Sequence, residues 1–341
     1  MNINLIKEYC NKISEVKVIG KDFEFESTEY HIIGLYREEK KIFAAVLAYN
    51  EEFCEKREWL EIQAENGLEL DTRNLPLREI KKLQIEFNEP YCDIESISFA
   101  DTELLSFRSH RSYLNNNKEQ NIILFLEFLR NGWNSGAFGC RNFRNCSLGI
   151  YELDGEFSGL SEIDTGDLTI NFRHSQQETV FGMPITLEIG ECDREVILSN
   201  GEKIYIRSVN LTDMWLESAK IFSNPRLTSQ FSPEHLKEHR EEFESKLEET
   251  CPKGTYFLCV EYEAATDVTV DIQLKSVLDA PEKACGSSAI GIIFRTDTEP
   301  VHENTKIKTC VINEPFSANT QTVEAEIFSF SKMTKPKSIK I

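Results

Sequence analysis

Asn117-Lys-Glu-Gln-Asn-Ile-Ile-Leu-Phe-Leu-Glu-Phe-Leu-Arg-Asn-Gly132 is the stretch on which the reading of the fold turns. Ile122, Ile123, Leu124, Phe125, Leu126, Phe128 and Leu129 cover nearly the whole circumference of a helix, which predicts burial on all sides. Over so short an apolar run, periodicity alone does not separate helix from strand. The ends decide it. Asn117 can cap the first turn, with Gln120 three residues on as in a capping box. Gly132 offers the left-handed residue that ends a helix, and Arg130 lies at the negative end of the dipole. The run is too short, and too interrupted by Glu127, to span a bilayer. The expectation is a buried helix over 119–131 with sheets packed against it.

Outward from this helix the pattern is mostly strands. Residues 3–16 read as an amphipathic helix, with Ile6, Tyr9, Cys10, Ile13 and Val16 on one stripe. Phe23 and Phe25 alternate with acids. Tyr30–Tyr36 and Lys41–Tyr49 form a hairpin turned by Glu38-Glu39-Lys40. Leu60, Ile62 and Ala64, then Leu68 and Leu70, flank Asn66-Gly67, a hairpin signal. Leu83, Ile85 and Phe87 alternate, and Ile94–Phe99 is a further strand. Beyond the helix, Asp154-Gly155 and Asn200-Gly201 mark two more hairpins. Phe181–Ile189 alternates cleanly, and Pro184 on its outer face predicts an edge strand. A helix is expected near Asp213–Phe222.

A polar, proline-flanked stretch at 225–232 places a domain boundary. Ser232 then caps a helix, Pro233 takes its first position and Phe231 can staple onto Leu236. This helix reaches about Thr250, and its core contacts are Leu236, Phe243 and Leu247. Five strands follow, at Tyr256–Tyr262, Val268–Leu274, Ala289–Phe294, Ile307–Ile312 and Thr322–Phe330. The fold class is therefore mainly β (α+β), with antiparallel sheets. Residues 1–224 form a mainly-β domain with the central helix 119–131. Residues 225–341 form the capped helix and a C-terminal β-sandwich-like domain, ending in a basic, disordered tail over 332–341.

With 341 residues and a net charge of −20, the chain is long enough for a large core and strongly acidic. The charge argues against nucleic acid and anionic membranes as partners and permits a basic protein partner or an oligomer. No signal peptide or membrane span is read from the sequence, so the ten cysteines are expected to be reduced thiols in a cytoplasmic protein.

Four patterns could carry chemistry. His235-Leu-Lys-Glu238-His239 places two imidazoles on one helical face, with Glu238 between them as a base for zinc-bound water. It resembles the H-x-x-E-H signature of the inverzincin metallopeptidases. That resemblance implies zinc held by His235 and His239, with a later glutamate, Glu314 at the corresponding distance, as third ligand. The alternative is a charged surface helix. Asp164-Thr165-Gly166 matches the aspartic-protease triplet, but a single copy reads better as a turn. Cys140 could pair with His110 or His174 as thiol and imidazole.

The fourth pattern is the glycine-rich loop Gly132–Asn145. Six basic residues against two acids between Phe107 and Cys146 leave a local charge of +4. Arg108, Arg111, Arg141 and Arg144, with Trp133 and Phe138, could bind an anion, a nucleotide or a protein surface. Alternatively, the aromatics enter the core and the arginines pair with carboxylates of the same chain. No catalytic constellation is complete. The function expected is a non-enzymatic cytoplasmic binding or assembly protein that acts through protein–protein contacts and needs no cofactor. The alternatives are a zinc hydrolase and an anion or nucleotide binder.

Overall fold

The computed structural model describes residues 3–65, 75–100, 102–114, 119–142, 145–155, 159–229, 231–281 and 299–341. The chain divides into two compact units. The first is Met1–Leu70, Phe87–Ser175 and Thr334–Ile341; the second is Asp71–Glu86 and Gln176–Met333. The change of unit falls at 175, so the proline-flanked stretch at 225 lies inside the second unit.

In chain order the elements are α1 (Ile3–Lys12), β1 (Ile13–Phe25), β2 (Thr28–Glu38), β3 (Lys41–Tyr49), α2 (Glu51–Glu65) and α3 (Leu77–Glu86). Next come β4 (Ile94–Phe99), β5 (Thr102–Tyr113), α4 (Glu119–Arg130), β6 (Ser147–Asp154) and β7 (Leu168–Phe172). The second unit continues with β8 (Gln176–Glu188), β9 (Gly190–Ile197), β10 (Lys203–Thr212), α5 (Met214–Phe222), α6 (Pro225–Thr228) and α7 (Pro233–Thr250). It closes with β11 (Tyr256–Ala265), β12 (Val268–Leu274), α8 (Lys275–Leu278), β13 (Thr305–Phe316) and β14 (Thr322–Met333); β15 (Lys337–Lys340) returns to the first unit. No described helix is long and apolar enough to cross a membrane.

The first unit is one eight-stranded antiparallel sheet in the order β1-β2-β3-β6-β5-β4-β7-β15. Its concave face holds a core of Tyr30, Ile32, Ala44, Val46, Ile97, Tyr151, Ile170 and Phe172 among others. The sheet curls until its two edges are within side-chain reach. Phe25 of β1 stacks on Phe172 of β7 at 4.1 Å, and Lys21 Nζ donates to the main-chain oxygens of Gly166 (3.0 Å) and Ile341 (3.3 Å).

The convex face carries α4, seated on Ile33, Tyr36, Ala45, Leu47 and Leu148. Its end is as the sequence implies. Gly132 has φ +87°, and Gly132 N–H and Trp133 N–H donate to the carbonyls of Leu129 and Phe128, a Schellman closure. Asn117 lies outside the described residues, and the Gln120 amide donates to the Tyr9 hydroxyl. Burial on all sides is not found. Ile123, Leu124, Phe125 and Phe128 are buried, whereas Ile122, Leu126 and Leu129 are 45%, 48% and 52% exposed. A helix lying on one sheet face is covered on one side.

Other expectations need correction. Residues 60–64 belong to α2, not a strand. Asn50 starts that helix, its side-chain oxygen accepting from Phe53 N–H at 2.9 Å, with Glu51 and Glu52 in the first turn. Asn66-Gly67 lies outside the described residues. Residues 83–86 belong to α3, anchored in the second unit by buried Ile80 and by ion pairs of Arg78 with Glu326 and of Lys81 with Asp271. The α1 helix stops at Lys12, although Ile13 and Val16 still pack beside α4, from β1. Asp154-Gly155 makes no hairpin, because β6 pairs with β3 and β5. The tail expected to be disordered contains β15, where Ile339 joins the core and Lys337 and Lys340 pair with Glu26 and Asp167.

In the second unit, sheets β13-β11-β10-β9 and β12-β14-β8 are both antiparallel, and their buried faces share one apolar core. Pro184 sits on β8, an edge strand as its missing N–H requires. Asn200-Gly201 turns β9 into β10, with Gly201 at φ +85°. The expected strand at 289–294 lies outside the described residues. The α7 helix packs through Leu247 and Phe243 on Met214, Trp215 and Phe257 and is otherwise solvated.

Helix α4 packs tightly on β2 at Gly34. A Cβ there would lie 2.2 Å from the Lys17 carbonyl oxygen and 2.9 Å from the Phe128 ring. Gly34→Ala is expected to cost about 3 kcal/mol or more through this overlap, read as a lowered denaturation midpoint.

Candidate functional site

The glycine loop is built inward. Trp133 stacks beside Phe125 at 5.6 Å, and its indole N–H donates to His31 Nε2 at 2.8 Å. His31 is fully buried, and its Nδ1 lies 2.6 Å from Asp22 Oδ1. An indole nitrogen only donates, so His31 Nε2 accepts and the ring proton sits on Nδ1, facing Asp22. Phe138 is buried, its ring 5.7 Å from that of His31. Arg141 forks onto the Glu29 carboxylate and lies 4.6 Å over the Tyr49 ring.

The remaining arginines do not join it in a cradle. Arg111 enters the concave side of the sheet, where it donates to the Tyr151 hydroxyl at 2.8 Å and the Cys92 carbonyl at 3.2 Å. Arg108 is exposed and stands over its neighbour Phe107. Arg144 lies outside the described residues. Trp133, His31 and Asp22 thus link the residue just after α4 to β2 and β1.

The metal pattern is not assembled. His235 and His239 are exposed on α7, with His235 N–H on the Ser232 cap at 3.3 Å and the His239 ring 5.7 Å from that of Phe231. Phe231 thus packs on His239 where a staple onto Leu236 was expected. Glu238 is exposed, and Glu314 lies on β13. Among the described residues no three His, Cys, Asp or Glu side chains gather as a metal site. Asp164-Thr165-Gly166 is a turn, its Asp164 Oδ1 accepting from Gly166 N–H at 2.9 Å.

The nine described cysteines are thiols. Burial pushes the Cys146 thiol up to about 12 and the Cys92 thiol to about 11, which suppresses thiolate chemistry. His174 Nδ1 faces the Thr334 carbonyl, and His110 lines a cleft on the convex face.

Two features were not visible in the sequence. One is the carboxylate of Glu263, fully buried on β11. It accepts from the N–H groups of Val301 and His302 (both 2.9 Å) and lies 2.7 Å from the His302 ring, which stacks on Tyr205 at 3.5 Å. These bonds clasp the chain that leads into β13. Thirty-nine residues separate Glu263 from His302, so no local motif announces the pair.

The other feature surrounds α4. Its exposed stripe, Ile122, Leu126 and Leu129, has the i, i+4, i+7 spacing of a binding helix face. On another side of the helix is a cleft of about 370 Å³ lined by Tyr9, Tyr36, Phe43, His110, Gln120 and Ile150. The first unit thus presents apolar surface on both flanks of one helix. Compared with protein-family models, curated proteins and solved structures, the chain finds no match.

Two measurements check this geometry. Trp133→Phe leaves His31 Nε2 buried without its donor and should cost about 1–3 kcal/mol in denaturant unfolding. For Glu263, burial pushes the carboxyl up, but the Val301, His302 and Thr305 donors outweigh it and hold it at about 2. Its stabilisation is complete above the ordinary value of 4.5 and is lost as pH falls from there toward about 2. The wild type should lose its advantage over Glu263→Gln across that window in pH-resolved melting curves.

Proposed function

We propose that the chain is a cytoplasmic binding and assembly protein that acts through protein–protein contacts. The observation that carries this reading is the stripe of Ile122, Leu126 and Leu129 on α4, about half exposed to water. Three large aliphatic side chains in register on one helix are a cost to an isolated chain, and a partner that covers them removes it. Helix faces of this kind fit apolar grooves or companion helices. The net charge of −20 favours a basic partner by long-range steering.

The test is a triple variant, Ile122→Gln, Leu126→Gln and Leu129→Gln. Partners captured in cells by crosslinking to the wild type are purified and titrated against both forms. The variant should stay folded, at a cost of about 1 kcal/mol per substitution, because each side chain is only about half buried. Affinity for the partner should fall about 30-fold or more, as for the loss of a hot-spot cluster worth about 2 kcal/mol. Equal affinity for both forms rejects the reading.

A further inference from the structure

The eight-stranded sheet has two edges, and they are protected unequally. β15 is four residues long and carries two lysines, both devices that discourage further pairing. β1 is thirteen residues long, pairs with β2 alone, and is covered over only part of its length. Its second half is closed by the curl of the sheet, with Phe25 on Phe172 and Lys21 on the oxygens of Gly166 and Ile341. In its first half the main chain has no partner beyond β2 among the described residues, although Leu160 N–H reaches the Glu15 carboxylate at 2.8 Å and Leu160 and Ser161 line the same flank. Among the described residues, no main-chain hydrogen bond joins residues 13–18 to anything but β2 and their own strand.

Between irregularities at Ile13/Glu15 and Val18/Lys21, the ladder from Glu15 to Val18 is regular. A shallow groove of about 490 Å³ runs beside it, lined by Ser14, Val16, Lys17, Glu127, Asn131 and Leu160. Regular, unpaired backbone beside an open groove is the geometry that accepts another strand.

The side chains indicate which strand. Val16 and Val18 face the α4 side, where they pack with its core, and Glu15 and Lys17 alternate with them. An antiparallel strand best matched to this edge places an acid opposite Lys17, an aliphatic residue opposite Val16 and a base opposite Glu15. Read along the incoming strand, that order is acid, aliphatic, base. Glu15-Val16-Lys17 is itself that sequence.

We propose that β1 pairs antiparallel with β1 of a second copy of this chain, about a two-fold axis at Val16. Glu15 then faces the partner's Lys17, Lys17 faces the partner's Glu15, and Ser14 faces the partner's Val18. Each ion pair occurs twice, as an isologous interface requires. The charge of −20 on each chain opposes association, but at about 0.15 M salt charges beyond about 8 Å are screened and the facing pairs decide. This surface is separate from the exposed stripe of α4 and does not depend on the proposed function.

Sedimentation velocity of the full chain at micromolar concentration tests the interface. The wild type should be a dimer. Lys17→Glu and Glu15→Lys should each raise the dimer Kd about tenfold or more by opposing like charges. Mixing the two variants should restore the dimer, because each new charge then faces its opposite across the axis. Glu15 also accepts from Leu160 N–H and pairs with Arg37, so its variant alone could loosen the fold. Lys17→Glu is free of that ambiguity, and the mixture is read once circular dichroism melting shows the Glu15→Lys chain to be folded; a restored dimer then cannot come from a misfolded chain. The α4 triple variant should remain dimeric. A monomeric wild type, a dimer indifferent to Lys17→Glu, an unrestored mixture of two folded variants, or a dimer lost in the α4 variant would each overturn the proposal.

Discussion

The first unit depends on a close approach between a ring and a bare backbone. Phe128 is fully buried against Gly34, where no side chain could stand. That contact sets the height of α4 over the sheet. Leu124 and Phe125 reach the floor made by Ile33, Ala45, Leu47 and Leu148 because the helix sits so low. The same seating carries Trp133, one turn beyond, to the nitrogen of His31. A Schellman turn at Gly132 makes the geometry reproducible, because it fixes where the chain leaves the helix.

The polar groups near this contact act as fasteners. Asp22, His31 and Trp133 form a chain in which each donor has one acceptor, and Arg141 forks onto Glu29. The loop rich in arginine and aromatic residues thus places at least Arg141 on a carboxylate of its own chain. In a chain with 58 acidic residues, basic side chains seldom lack a nearby carboxylate. The helix those fasteners hold in place carries exposed apolar side chains on its outer face. Binding through α4 would therefore act on a rigid element rather than on a loop.

The antiparallel β class, the termination of α4 at Gly132, the edge position of Pro184 and the turn at Asn200-Gly201 were legible because each rests on local chemistry. Alternation misled at Leu60–Ala64 and Leu83–Phe87, where Asn50 capping and the ion pairs of Arg78 and Lys81 favour helix. The exposure of Ile122, Leu126 and Leu129 was illegible for a different reason. An apolar circumference predicts burial, but how many layers cover a helix is decided by the topology of distant strands. The Glu263–His302 clasp was hidden likewise by sequence separation. The arginine loop was legible in composition and not in geometry, since Glu29 and Tyr49 lie some hundred residues before Arg141 and only pairing of β2 with β3 brings them close.

The return of β15 to the first sheet has a consequence in time. Strands β1–β7 leave the ribosome before any of β8–β14, yet the strand that pairs with β7 is made after all of them. Throughout synthesis of the second unit, β7 waits with one flank unpaired and with the main-chain groups that Lys337–Lys340 will occupy exposed. Slow translation through the second unit would lengthen that interval. Premature termination anywhere before residue 337 would release a nascent chain with an adhesive sheet edge, a species that chaperones and proteases are positioned to handle.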